Sequence, residues 1–244
     1  MKCRLCKKDK SLIKAHIIPK TFYDFLYPSD DNSSLIMVRK NKHIKRRPVG
    51  SYDMNILCKD CDSDLGLYDE YGKKVFLEKK LEKHPQTESA FIIRDVDYEK
   101  LSFFIISLLW RAGISSLDEY GFVQLNKYEE ILRDIIYNKK YKKLIDYPFI
   151  ITQFEKDGLD GIVDKSFLNP VKLYMDKRRF YLFYLPNCYS IYIKVDKQKM
   201  QSSFSKIAFK KDGNLFIINR GKYKNSKEFK LIVDIVKSGF TPQT

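Results

Sequence analysis

The sequence predicts an α+β protein in two parts: a zinc-braced N-terminal module over residues 1–84, then a mixed helical and antiparallel-β region over 90–244. Three observations predict it. Two matched Cys-x-x-Cys pairs, Cys3-Arg4-Leu5-Cys6 and Cys58-Lys59-Asp60-Cys61, bracket the first part. A near-continuous apolar run, Leu101 to Trp110, lies in the middle of the chain. From Tyr147 onward the residues become β-branched and aromatic in short runs, the signature of strands.

The elements follow in chain order. A Cys-x-x-Cys turn places two thiolates on one metal ion, and two such turns complete a tetrahedral four-cysteine site. The redox alternative expects the dithiol to open a helix within a βαβ context, which is missing. The disulfide alternative suits a secreted chain, and no apolar signal segment follows the basic start, Met1 to Lys8. Cys188, in an aromatic strand run, reads as an unpaired core residue. Ser11 to Ile18 is expected to be a strand ending at Pro19, and Thr21 to Tyr27 a short helix with Phe22, Phe25 and Leu26 on one face. Leu35 to Val38 and a segment near Ile44 can pair as a ribbon turning at Asn41-Lys42. A helix is expected from Ser63 to Lys83, weakened at Gly66 and Gly72.

His84 to Ser89 is polar and carries Pro85, so it reads as a linker. Tyr98 to Ala112 is apolar on nearly all sides, which predicts a central buried helix. Asn126-Lys127-Tyr128-Glu129 has the form of a capping box, opening a helix with Ile131, Leu132, Ile135 and Ile136 inward. Strands are expected at 149–154, 171–175, 180–185 and 189–195, with an exposed turn at Lys177-Arg178-Arg179. Lys206 to Arg220 reads as a hairpin turning on Asp212-Gly213. Lys227 to Lys237 reads as a last amphipathic helix.

Composition narrows the function. The 244 residues carry 46 Lys and Arg against 31 Asp and Glu, a net charge of +15. That balance points to an anionic polymer as partner, nucleic acid before membrane. The alternative is a lysine-rich solvated surface, which the many Lys, Ile, Asn and Tyr residues also suit. The apolar run is too short to cross a bilayer, which needs about 20 residues, so no membrane role and a soluble cytoplasmic protein are expected. Arg39, Lys40, Lys42, Lys45, Arg46 and Arg47 make a basic ribbon that can follow phosphates; a solvated charged loop is the plainer alternative.

Within the long gap between the cysteine pairs lie His16-Ile17-Ile18-Pro19 and Asn55-Ile56-Leu57, the latter leading into Cys58. The order Cys-x-x-Cys, His-x-x-Pro, Asn, Cys-x-x-Cys resembles the HNH endonucleases. It resembles most closely a divergent bacterial branch with Ala-His-Ile-Ile-Pro-Lys and Leu-Cys-x-x-Cys-Asp motifs. The resemblance covers about the first third of the chain. It implies a ββα unit around a metal, braced by a treble-clef zinc. It further implies hydrolysis of phosphodiester bonds, in DNA before RNA, in the setting of bacterial defence or mobile elements. His16 matches the family's base, a role suited to an imidazole whose ordinary pKa is about 6.5. Asn55 matches the asparagine that braces the loop. Two positions depart from the pattern: Ala15, where many members carry a metal-binding Asp or His, and Asp62, where the final metal-binding His is usual. Asp is a competent ligand for Mg²⁺ or Mn²⁺. Asp62 and Asp69, two helical turns apart, and Asp53, just before the second pair, are therefore the candidate catalytic-metal ligands. The alternative function is a non-catalytic zinc-finger module that binds nucleic acid with a degenerate HNH site. Arg111, emerging from the apolar helix, is expected to pair with a buried acid or bind phosphate. Residues 90–244 suggest a specificity or protein-partner role.

Overall fold

The computed structural model describes residues 1–26, 35–39, 42–47, 50–155, 168, 170–230 and 233–234, with Leu26, 35–39 and 42–47 described by backbone alone. Its class is α+β. The cysteine-bearing part holds β1 (Ala15–His16), α1 (Lys20–Leu26), β2 (Leu35–Arg39), β3 (Lys42–Arg47), β4 (Tyr52–Asp53) and α2 (Lys59–Lys73). β1 pairs antiparallel with β4, Ala15 opposite Asp53 and His16 opposite Tyr52. β2 and β3 form the expected ribbon; Lys40 and Asn41, between them in sequence, lie outside the described residues. The expected long strand over 11–18 is confined to β1, plus an isolated bridge from Leu12 to Cys58. In α1, Phe22 and Tyr23 are buried while Phe25 is exposed.

The helix expected over 63–83 starts earlier, with Cys58 as its N-cap, and runs through one π-helical turn at Lys74–Glu78. β5 (Glu82–Lys83) then pairs with β6 (Ala90–Ile93). The expected linker is thus the turn of a hairpin: the His84 N–H donates to the Ala90 carbonyl at 3.0 Å, and the Gln86 N–H donates to His84 Nδ1 at 3.1 Å. A single apolar core runs from Cys3 to Ile217, across both sides of that turn. The division into 1–84 and 90–244 therefore does not coincide with a break in packing.

α3 (Tyr98–Ile114) is the central helix, capped by Asp97, whose side chain accepts from the Lys100 N–H. Asn126 is the N-cap of α4 (Lys127–Tyr137), but it has φ +50° and its side chain does not cap. The expected capping box fails because Glu129 instead accepts from Arg4 Nη2 at 2.6 Å. Leu132, Ile135 and Ile136 point inward, whereas Ile131 is 40% exposed.

β7 (Phe149–Glu155), β8 (Val171–Met175), β9 (Arg178–Leu185) and β10 (Tyr189–Lys194) fall where alternation and β-branching place them. Asp176 and Lys177 form the β8–β9 turn, with Arg178 and Arg179 already in the strand. The hairpin expected over 206–220 does not form. Its first arm overlaps α5 (Ser202–Ile207), and its second is β11 (Leu215–Lys222). Asp212-Gly213 does make a turn, with Gly213 at φ +77°, but β11 then leaves it to lie between β6 and β7, antiparallel to the first and parallel to the second. The resulting seven-stranded sheet has the order β5-β6-β11-β7-β10-β9-β8. Cys188 sits in the β9–β10 turn, in a small satellite cluster with Phe154 and Tyr223. The last expected helix is seen over 227–230, and most of the remainder lies outside the described residues. No helix of the described residues is long and apolar enough to cross a membrane.

Candidate metal centre and the His16 corner

The two cysteine turns converge. The thiol sulfurs of Cys3, Cys6, Cys58 and Cys61 all lie within 4.8 Å of one another. Around a zinc ion with Zn–S bonds of about 2.3 Å, tetrahedral thiolates stand about 3.8 Å apart, so the set is close enough to bind a metal and compatible with structural zinc. Backbone bonds build it. Lys7, in the left-handed region at φ +60°, lets its N–H reach the Cys3 carbonyl at 2.9 Å, closing the first turn. The second turn is the start of α2, where N-cap Cys58 and Cys61 share a face. Arg4 N–H to the Ile56 carbonyl (2.8 Å) and Ile13 N–H to the Leu57 carbonyl (3.0 Å) tie the two together. Burial opposes ionisation of Cys3, but the amides of Cys6, Cys58 and Leu5 and the Cys6 thiol bring it down to about 7. Burial pushes the Cys58 and Cys61 thiols up. Bound metal is what would stabilise all four as thiolates.

Beyond the cysteines, Arg111 of α3 links β1 to α2, reaching the His16 carbonyl and the Asp69 carboxylate. His16 stacks its ring at a tilt near Tyr52 (5.9 Å between centroids) and Tyr23 (6.4 Å). Tyr23 lies across Gly50, where a Cβ would fall 2.4 Å from the ring, so a glycine is needed there. Its hydroxyl is buried and pushed up to about 12 by desolvation. Asp62, Asp69 and Arg111 complete the corner. Arg111 Nη1 and Nη2 donate to the Asp69 carboxylate at 2.8 and 2.6 Å, a bidentate pair in which Arg111 is only 1% exposed. Pairing, rather than phosphate contact, is therefore the outcome for Arg111.

The candidate ligands fare differently. Asp62 is part-buried; its N–H donates to the Cys58 carbonyl at 3.0 Å, as the helix requires, while its carboxylate makes no hydrogen bond or ion pair with the described residues. Desolvation raises its pKa; the charges of Arg111 and His16 oppose this and that of Asp69 adds to it. Asp69 shares the corner but is held by Arg111. Asp53 does not join it: its carboxylate accepts from the Asn55 N–H (2.8 Å), the Ser116 N–H (2.7 Å) and the Ser115 and Ser116 hydroxyls (both 3.0 Å). Asn55 is exposed in the turn that Asp53 closes. Among the described residues the cysteines are the only group of three or more His, Cys, Asp or Glu that could hold a metal ion. The side chains of Arg39, Lys42, Lys45, Arg46 and Arg47, like the whole of Lys40, lie outside what is described.

Sequence reading missed Ser51, Ser115, Ser116 and Glu119. Ser51 Oγ donates to Glu119 Oε1 at 2.8 Å in a buried bond. No local motif marks them; their role depends on contacts more than sixty residues apart in sequence. No family model matches the chain, and no curated protein and no solved structure is found to be similar to it.

Proposed function

We propose that this protein is a zinc-braced, HNH-like endonuclease that hydrolyses phosphodiester bonds in nucleic acid, DNA before RNA. The observation that carries the reading is the position of Asp62, a part-buried carboxylate with no hydrogen bond or ion pair to the described residues, in the corner that also holds His16. A carboxylate in that condition is a functional candidate. An antiparallel pair, β1 with β4, and α2 following β4 are what a ββα reading needs, with α1, β2 and β3 inserted between the two strands.

In this reading His16 takes the proton of the attacking water. Mg²⁺ is commonly held by one or two carboxylates plus the phosphates of its substrate, and Asp62 fits as that anchor, with Asp69 committed to Arg111. Such an ion would polarise the phosphoryl oxygen. The basic ribbon over 39–47 and the net charge of +15 suit a polyanionic substrate.

A second reading is a non-catalytic zinc module that binds nucleic acid. It is favoured by one observation: Asp53 and Asp69 are both spent on internal contacts, and Ala15 is fully buried beside His16. The test is incubation of plasmid, single-stranded DNA and RNA with Mg²⁺ or Mn²⁺, beside His16→Ala and Asp62→Ala proteins of confirmed zinc content. Cleavage abolished in both variants supports the enzyme. Salt-sensitive binding without turnover by the parent protein selects the second reading.

A further inference from the structure

The ribbon that carries His16 is held from outside the cysteine module. Three contacts reach it from one stretch at the end of α3. Arg111 Nη1 donates to the His16 carbonyl at 3.1 Å. Ser115 and Ser116 donate to Asp53, which stands opposite Ala15 in the ribbon. Glu119 accepts from Ser51, whose carbonyl in turn accepts from the Ile17 N–H at 3.4 Å. We infer that Arg111–Glu119 is the positioning element of the His16 corner, with Arg111 as its principal positioning residue. This rests on the role proposed above for His16.

Arg111 is suited to the task by donor number and by anchorage. Its Nε donates to the Ser107 carbonyl at 3.4 Å on its own helix, which fixes the guanidinium plane. The remaining donors then reach two different elements at once, β1 through His16 and α2 through Asp69. The close approach of α2 and α3 makes this reach possible. Tyr68 stacks on Phe103 at 4.6 Å, and Gly72 has the Phe104 ring where a Cβ would lie, at 2.7 Å. Asp69 sits between those two contact points along α2. A lysine would supply one charge but not the planar fork that serves a carboxylate and a carbonyl together. The consequence is that the histidine of the N-terminal part is aimed by a helix of the C-terminal part. Residues 90–244 therefore contribute to the site itself.

The metal-loaded 244-residue chain offers a direct readout, because it contains only 3 histidines. The imidazole signals of His16 are assigned in the NMR spectrum by their loss in His16→Ala. Arg111→Lys and Asp69→Asn are then compared at unchanged zinc content and helix content. The expected result is displacement or doubling of the His16 signals and a moved titration midpoint, larger for Arg111→Lys, with the His84 signals unmoved. His16 signals that stay in place in both folded variants overturn the inference. Should Arg111→Lys not fold, Asp69→Asn alone decides. The readout needs no turnover, so absence of cleavage would count against the proposed activity and leave this test intact. If the protein cleaves, Arg111→Lys should lower kcat by about 100-fold, as misplacement of a reacting group does, with KM little changed.

Discussion

The cysteine cluster and the His16 corner are adjacent on the same helix, yet they are built by opposite means. Four like ligands, two from each short turn, meet within 4.8 Å and leave nothing for distant residues to supply. The corner next to it is assembled from β1, α2 and α3, and its two α2 carboxylates end in different states: that of Asp69 clamped by a buried arginine, that of Asp62 without hydrogen bond or ion pair among the described residues. Short spacing fixes each half of the first site, and backbone bonds from Arg4 to Ile56 and from Ile13 to Leu57 bring the halves together. Tertiary packing fixes the second. The two should therefore fail differently when perturbed.

The largest effect is expected at the cysteines. In small zinc modules the metal contributes on the order of 10 kcal/mol to folding. Cys58→Ser, or a strong chelator, should destabilise the whole fold, because one apolar core runs through both parts, seen as lost zinc and a lowered thermal transition. His16→Ala should leave both intact. Next comes Arg111→Met, which leaves the part-buried Asp69 carboxylate without its cation; breaking a fully buried pair costs about 3–5 kcal/mol, the upper end for this one, measurable by urea denaturation. Gly72→Ala comes third, at about 1–3 kcal/mol, because the added methyl would meet the Phe104 ring at 2.7 Å. It should also loosen the corner, since it opens the α2–α3 crossing that Arg111 spans.

Asp53 gives the pH-dependent case. Burial alone would raise its pKa, but the Ser116 and Asn55 amides and the Ser116 and Ser115 hydroxyls outweigh burial and hold it below the usual carboxylate range. A carboxyl whose folded pKa is depressed adds stability above its unfolded pKa of about 3.9, and that stability is lost as pH falls through the folded value. Asp53→Asn should cost about 1–3 kcal/mol at neutral pH and flatten the acid limb of a stability–pH curve. Arg4→Ala should have the smallest effect, below about 1 kcal/mol, because the Arg4–Glu129 pair is solvent-accessible, at 43% and 33%.

The same contrast explains what could be read from sequence. Cys-x-x-Cys spacing is local chemistry, so the cluster was legible. So were α3, from its unbroken apolar run, and β7 to β10, from β-branched and aromatic residues. The expected hairpin at 206–220 went astray because Asp212-Gly213 signals a turn but not a strand's partner; β11 finds β6 and β7 instead. The capping box failed because Arg4 claims Glu129 across the fold. Asp53 and Asp69 are candidate ligands in sequence through the HNH resemblance and their place near Asp62 and the second cysteine pair. The serines and the arginine that hold them are distant in sequence, and no periodicity announces such partners.

The most direct test of the account separates the two regions in one protein: bound zinc and plasmid cleavage, measured together in the parent chain and in His16→Ala. One tightly held zinc per chain is expected in both, with Mg²⁺- or Mn²⁺-dependent cleavage only in the parent. Undiminished cleavage by His16→Ala, or loss of its zinc, would contradict it.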